Sequence, residues 1–418
     1  MWMLLAACTD REPVDTAPPP LESPLPADVV AAFDVMNVKR LIDELGQDSY
    51  AGRTPGSIGH AAGLDWLEAE VATVGLQPVG DDGGFRQSFS LSLSGRYAPN
   101  IDGVIEEVSV SEGVNLAGLV PGVGDRSDEL IVVMAHHDHL GTTQDGAVFN
   151  GAYDDLSGVG IILEIARLYA DHGIQPNRSI LFLITDAEEG GLRGAEAWVE
   201  AAPWDLDNVV AAFSVDPMGR PMLPDTWPLV LLGMERSPEL MALWRDMARS
   251  WSDAPVHFVN RSAIPIFASD QDPFWDAPQP MAAAWVTSPG FTWYHTTGDD
   301  PETIDYRTVQ DHGRFLAQAL LYMANSSDTW LDLGEQDPVA ADALDAVDLL
   351  DTVLSSEVLS DVEAAQTRAL QRDFQELYEQ GDAMDPDDAR PIITEAMLFI
   401  MQDLAKAHPG EVPPPMPD

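Results

Sequence analysis

Cysteine is all but missing from this chain of 418 residues. Cys8 stands alone, so no disulfide can form within the chain and the fold must hold by packing. Lysine is nearly as scarce. Only Lys39 and Lys406 are lysines, the other 19 basic residues are arginines, and 70 acidic residues leave a formal net charge of −49. Such a field repels nucleic acid and anionic lipid, which excludes nucleic acid as a partner. The plain reading is a solvated acidic shell; attraction of cationic peptides or metal ions is a second and less specific one. No run of about 18 apolar residues occurs, so no membrane-spanning helix is expected. Core material is plentiful. Apolar content of 45% supports one large α/β domain with extra elements, or two domains.

Periodicity sets the organisation. Residues 29–45 and 60–74 read as amphipathic helices around a turn-rich stretch from Asp48 to Ser57, and 85–120 as short alternating strands. Strands are then predicted over 130–135, 180–184, 209–215, 229–232 and 281–286, and helices over 155–169, 192–201, 238–249 and 308–323. Strands alternating with helices imply a three-layer α/β sandwich: a mostly parallel mixed sheet with helices on both faces. Beyond Leu333 the texture changes to acidic helical segments over 339–354, 358–378 and 391–406, then a tail containing Pro413, Pro414 and Pro415.

Side chains of metal-ligand type stand in order near the ends of these strands: His136, Asp154, the adjacent Glu188 and Glu189, Asp216 and His295. In an open parallel sheet, ligands bind beyond the carboxyl ends of the strands. Two imidazoles and three carboxylates suit a pair of zinc ions, one carboxylate bridging, and the spare glutamate suits a base for a metal-bound water. Taken singly, each has a plainer reading. Asp154 and Asp155 could cap a helix. Adjacent glutamates are usually solvated, Asp216 before Pro217 could simply end a strand, and His295 could be a hydrogen-bonded loop residue. Joint occurrence in apolar surroundings favours the metal reading, because such surroundings do not select carboxylates for packing.

These residues sit in motifs that resemble the co-catalytic di-zinc aminopeptidases, typified by secreted bacterial leucyl aminopeptidases. The resemblance runs from about Asp48 to Tyr306. It covers Ala51 to Gly56 (AGRTPG), His136 to Gly141 (HHDHLG), Gly151 to Gly158 (GAYDDLSG) and Glu188 to Gly194 (EEGGLRG). It closes with Ser214 to Met218 (SVDPM) and Tyr294 to Asp299 (YHTTGD). The resemblance implies two zinc ions per chain, one held by His136, Asp154 and Asp216, the other by Asp154, Glu189 and His295. It implies that Asp138 orients the His136 ring and that Glu188 is the general base. The implied activity is hydrolysis of the N-terminal peptide bond of peptides, through a hydroxide bridging the two zincs. The chain departs from the family at Gln271, where a histidine is often found, which puts specificity in question. Phe267, Phe274, Trp275, Phe291 and Trp293 are candidate pocket walls, or ordinary core aromatics.

Three rival readings stay open: a glutaminyl-cyclase-like acyltransferase on the same fold, a related carboxypeptidase, which the scarcity of arginine and lysine around the motifs disfavours, and a non-catalytic tethered binding protein. The expected division is 1–28 as a signal remnant and proline-rich tether, 29–330 as the di-zinc peptidase domain, and 331–418 as an acidic helical appendage. Leu5 to Cys8 (LAAC) resembles the lipobox of bacterial lipoproteins. That implies a lipid anchor at Cys8 and a bacterial cell-envelope location, periplasmic or extracellular.

Overall fold

The computed structural model describes residues 25–98, 107–251, 254–263, 268–404 and 407–408. Cys8, most of the proline-rich tether, Phe267, Lys406 and the C-terminal tail lie outside the described residues.

The described residues begin with two helices, α1 (Ala27–Ala31) and α2 (Val35–Leu45), where the pattern predicts one. Asp34 divides them: its carboxylate accepts a hydrogen bond from Met36 N at 3.0 Å and caps α2. Next comes α3 (Ile58–Val74), capped by Ser57, whose hydroxyl accepts from His60 N at 3.0 Å. Strands β1 (Gln77–Pro78), β2 (Arg86–Arg96), β3 (Glu107–Val120), β4 (Leu130–His136), β5 (Gly141–Thr142) and β6 (Val148–Phe149) lead to α4 (Ser157–Asp171). Then follow β7 (Ser179–Thr185), α5 (Arg193–Glu200), β8 (Val209–Val215), β9 (Leu229–Leu232) and α6 (Pro238–Arg249). The chain continues through β10 (Val256–Val259), α7 (Asp272–Trp275), β11 (Ala283–Thr287) and α8 (Tyr306–Asn325). The last helices are α9 (Ala340–Leu354), α10 (Asp361–Gln380) and α11 (Pro386–Leu398).

Among the described residues the main sheet has nine strands, in the order β1-β3-β7-β4-β8-β11-β9-β10, with β2 also paired to β3. β4 pairs in parallel with β7 and β8, and β8 with β11. β3 joins β7 antiparallel and β9 joins β11 antiparallel, so the sheet is mixed towards both edges. The expected three-layer α/β architecture is therefore what the chain adopts. β4, β7 and β8 are buried along their whole length, which fits strands covered on both faces.

Alternation along the strands sorts the two faces. Ile131, Val133, Ile180, Phe182, Phe213, Ala284 and Val286 meet α2, α4, α6 and α8 on one side. Of these, α4 is buried almost all round, as its apolar pattern predicts. Burying Ile161, Ile162, Ile165 and Leu168 contributes about 1.5–3 kcal/mol each before entropy is charged. On the other side Val132, Met134, Leu181, Leu183 and Ala283 meet Trp198 of α5 and Phe274 and Trp275 of α7. On the same side as Ala283, two residues on, Trp285 joins Val230, Leu232 and Val259 in a core with Leu350, Val353, Leu370, Phe374, Leu377 and Ile393. Helices α9 to α11 thus complete the second helical layer over β9, β10 and β11.

Candidate metal centre

Because β4, β7, β8 and β11 run the same way, their carboxyl ends meet at one edge of the sheet. His136 is the last residue of β4, Asp216 follows β8 directly, and Glu188 and Glu189 follow β7 by a short loop. Asp154 comes from the segment that leads into α4, and His295 from the loop after β11.

The structure brings all of these residues together. His136 Nε2 lies 3.0 Å from Asp154 Oδ1 and 3.6 Å from Asp216 Oδ1. His295 Nε2 lies 3.0 Å from Asp154 Oδ2 and 3.2 Å from Glu189 Oε2. Asp154 therefore turns one carboxylate oxygen to each imidazole, and the two triads share it. Asp154 Oδ2, Glu189 Oε1, Asp216 Oδ1 and His295 Nε2 are buried with no hydrogen-bond partner. Buried polar atoms are normally paired, and an unpaired carboxylate oxygen is costly. Here Asp154 Oδ2 and His295 Nε2 face each other, Glu189 Oε1 faces His139 Nδ1, and the donor set is the imidazole and carboxylate mixture that zinc takes. The residues fit two metal ions.

Neighbouring groups fix these side chains. Ser269 donates to Asp216 Oδ2 at 2.6 Å and is itself paired with Ser214 at 2.9 Å. Trp285 Nε1 donates to the Asp216 carbonyl. Asp299 accepts from Tyr153 N at 2.9 Å and from Asp154 N at 3.1 Å, which holds the bridging segment, and is held in turn by Arg220 at 3.1 Å. Tyr294 stacks on His295 with ring centroids 3.8 Å apart. Gly151 sits at φ 60°, where a Cβ would come within 2.7 Å of the His139 ring, so both conformation and space demand glycine there.

Asp138 behaves differently from expectation. Its carboxylate stands 3.7 Å from His136 Nδ1, too far for a hydrogen bond; its own backbone carbonyl meets that nitrogen at 3.1 Å. The carboxylate instead accepts from Glu188 N at 2.9 Å, Glu189 N at 3.2 Å and the Tyr97 hydroxyl at 2.6 Å. It ties the loop of the two glutamates to the end of β4. Asp155, not Asp154, caps α4, accepting from Gly158 N at 2.9 Å; it also accepts from His136 N at 3.2 Å.

Electrostatics follow from burial. Burial opposes protonation of His136, but Asp154 and Asp216 override it and raise its pKa well above the ordinary value. Burial also pushes the Glu188 carboxyl well above the ordinary range, helped by Glu189, Asp216 and Asp270 against His136. Arg53 is fully buried and gives its donors to the carbonyls of His137, Leu45, Asn150 and Gly151, at 2.7–3.2 Å. It clasps the ends of the segments that carry His136 and Asp154.

Sequence reasoning gave no role to His139, Ser269, Asp299, Tyr97 or Arg53. His139 Nδ1 lies 2.8 Å from Glu189 Oε1, with both ring nitrogens otherwise unpaired. A second histidine two residues beyond Asp138's neighbour His137 was the available signal. Gln271 is fully buried and donates to Asp272 at 2.6 Å. Phe274 stacks on Trp198 at 5.5 Å and Trp275 is buried under Arg236, so both are core aromatics and not pocket walls. Phe291 and Trp293 stay partly exposed beside the His295 loop.

Replacing Ser269 with Ala should loosen Asp216 alone. The expected result is a loss of about 10–100-fold in affinity for one metal, read by chelator competition.

Residues 115–320 match the model of Peptidase family M28, and the resemblance to the co-catalytic zinc aminopeptidase family is borne out. A "Probable zinc metalloprotease" of Phaeosphaeria nodorum is 24% identical over 239 residues, 52% of this chain and 46% of that protein. A "Probable glutamate carboxypeptidase" of Arthroderma benhamiae is 31% identical over 115 residues, 27% of this chain and 15% of that protein. The chain thus spans less than half the length of these curated relatives. Among solved structures, LapB from Legionella pneumophila is 18% identical, covering 74% of this chain and 79% of its own, with a TM-score of 0.53. An aminopeptidase from Aneurinibacillus is 15% identical, covering 73% and 97%, with a TM-score of 0.52. Glutaminyl cyclase from Porphyromonas gingivalis is 17% identical, covering 70% and 99%, with a TM-score of 0.53. These likenesses establish the fold.

The expected bacterial-envelope location is overturned. The curated relatives include a "Vacuolar membrane protease" of Schizophyllum commune, 34% identical over 115 residues, and a "Putative endoplasmic reticulum metallopeptidase 1-B" of Caenorhabditis elegans, 31% identical over 84. Their names point to eukaryotic vacuolar and endoplasmic-reticulum membranes. Among the described residues no helix is long and apolar enough to cross a membrane.

Proposed function

We propose that the chain is a zinc-dependent exopeptidase that removes N-terminal residues from peptides, working with two metal ions. The observation that carries this reading is the shared Asp154, with one oxygen turned to each imidazole and the orphaned ligand atoms gathered around it. Zinc bound there supplies polarisation of the scissile carbonyl and acidification of the attacking water. The chain's own residues do the rest. Glu188, anchored through its backbone to Asp138, takes the water proton on its carboxylate and passes it to the leaving amine.

The site's charge favours a peptide's ammonium end. A carboxypeptidase needs a cation to meet the substrate carboxylate; Arg53 gives its donors to backbone carbonyls, and Arg220 is buried, pairing with Asp299 through Nη2 against the Tyr153 ring. A glutaminyl-cyclase-like acyltransferase needs a single metal, whereas His136 and Asp216 are both present for a second.

The test is a panel of aminoacyl arylamides, their N-acetylated forms and C-terminally blocked peptides, given to the zinc-loaded protein. Hydrolysis of the free-amine substrates, lost on acetylation and on chelation, is expected. Cleavage confined to acetylated, internal or C-terminal bonds would overturn the reading.

A further inference from the structure

A second group of ligand-type side chains lies behind the metal pair. His136 and His137 are consecutive at an extended strand end, so their side chains leave opposite faces of the sheet. His137 stays in the ladder, donating from its backbone to Thr185 O at 3.0 Å. Its ring lies against His60 of α3, with centroids 4.9 Å apart and planes at 25°. Asp186, just after β7, reaches both. Its Oδ1 is 2.9 Å from His60 Nε2 and 3.8 Å from His137 Nε2, and its Oδ2 accepts from Val114 N at 2.9 Å. None of these three residues touches the pair through its side chain in the triads above.

We propose that His60, His137 and Asp186 form a third, buried metal site, for one divalent zinc-type ion. Hydrogen-bond accounting carries the argument. A proton shared by His60 and Asp186 satisfies those two residues and leaves His137 stranded. His137 is fully buried; the backbone of Val114 is its one weak hydrogen-bond partner, and neither ring nitrogen meets good hydrogen-bond geometry. A buried imidazole so poorly paired is costly. One cation satisfies all three groups at once. Tetrahedral zinc with bonds of about 2.0–2.1 Å sets its ligand atoms about 3.3–3.4 Å apart, which falls between the two observed separations. Small ring movements would equalise them.

The surroundings suit a closed site. Asp186 is oriented by two backbone contacts, Val114 N at its carboxylate and Asn115 Oδ1 at its own amide, 3.0 Å away. Asp138 and Arg53 bring opposite charges to the cluster and offset each other. His60 retains slight exposure, which leaves a route for the ion. A fourth ligand is a water or none, since the described side chains offer no other donor of this type within the group. The site ties α3 to the ends of β4 and β7, the strands that carry the pair, and its effect is on stability more than on the reaction.

The experiment counts metal in the full-length chain, stripped and then reloaded with zinc or with cobalt. The double variant Asp154→Asn, Glu189→Gln disables the pair. It is expected to keep one tightly held ion per chain, and addition of His137→Phe should bring the count to zero. A double variant that holds no metal would overturn the proposal, as would a count unmoved by His137→Phe. If His137→Phe does not fold, the double variant alone decides. Failure of the two-metal reading looks different: the wild type would then hold fewer than two ions more than the double variant.

Discussion

Glu188→Gln is expected to cut kcat for an aminoacyl arylamide by about 10²-fold or more, while the zinc count stays unchanged. The amide keeps the size of the side chain but cannot take a proton. Glu188 N still donates to Asp138, so the loop keeps its place and Glu189 keeps its position as a ligand. KM should change little, because the base is used only as the transition state forms. Steady-state kinetics on the zinc-loaded variant, with metal measured on the same sample, check both halves. A variant with full activity removes Glu188 from the mechanism. A variant that loses zinc assigns it to the ligand set instead.

Substituting the shared carboxylate should have a larger effect. Asp154→Ala takes one oxygen from each imidazole triad at once. Each triad falls from three protein ligands to two, and His136 and His295 lose their nearest carboxylate. Charge stabilisation by metal is worth several kcal/mol, and about 1.4 kcal/mol is tenfold in rate, so activity should fall by about 10³-fold or more. Both ions of the pair should weaken together, unlike the selective loss expected for Ser269→Ala. Isothermal titration of the metal-free variant reads this directly. Retention of one ion at wild-type affinity beyond any held by His60, His137 and Asp186 would show that Asp154 serves a single metal. Metal uptake should also release protons in the wild type. Glu188 and His136 both have raised pKa values in the metal-free chain, and cations at the site reverse that preference.

Much of this was legible in the residues. The buried strands β4, β7 and β8 announce themselves as short apolar runs, and a helix such as α4, apolar on nearly every side, belongs between sheet and helices. Strand order then puts the ligands at one edge. Other features have no local signal. Asp34 divides one amphipathic stretch because a carboxylate happens to face the Met36 amide, and any polar residue there would fit the same periodicity. β10 is four residues with a histidine in it, Val256 to Val259, and only its pairing with β9 makes it a strand. The antiparallel run of β9 against β11 depends on the path of the connecting loops. At the site, which residues gather followed from residue type and order, but their hydrogen-bond partners did not. Asp138 could reach either the His136 ring or the glutamate loop, and only coordinates show that the loop wins. His139, Ser269 and Asp299 act on ligands far away in the chain, so spacing could not reveal them.

Trp285 has one further consequence. Its ring is shared between two neighbours: the indole nitrogen holds the Asp216 carbonyl, and its apolar surface lies in the cluster built by α9, α10 and α11. Helices α9 to α11 therefore pack on a side chain that also holds the Asp216 backbone. Trimming the chain near residue 331 would bare that indole to water and free it to turn, and the disturbance would arrive at Asp216 without any change in the residues around it.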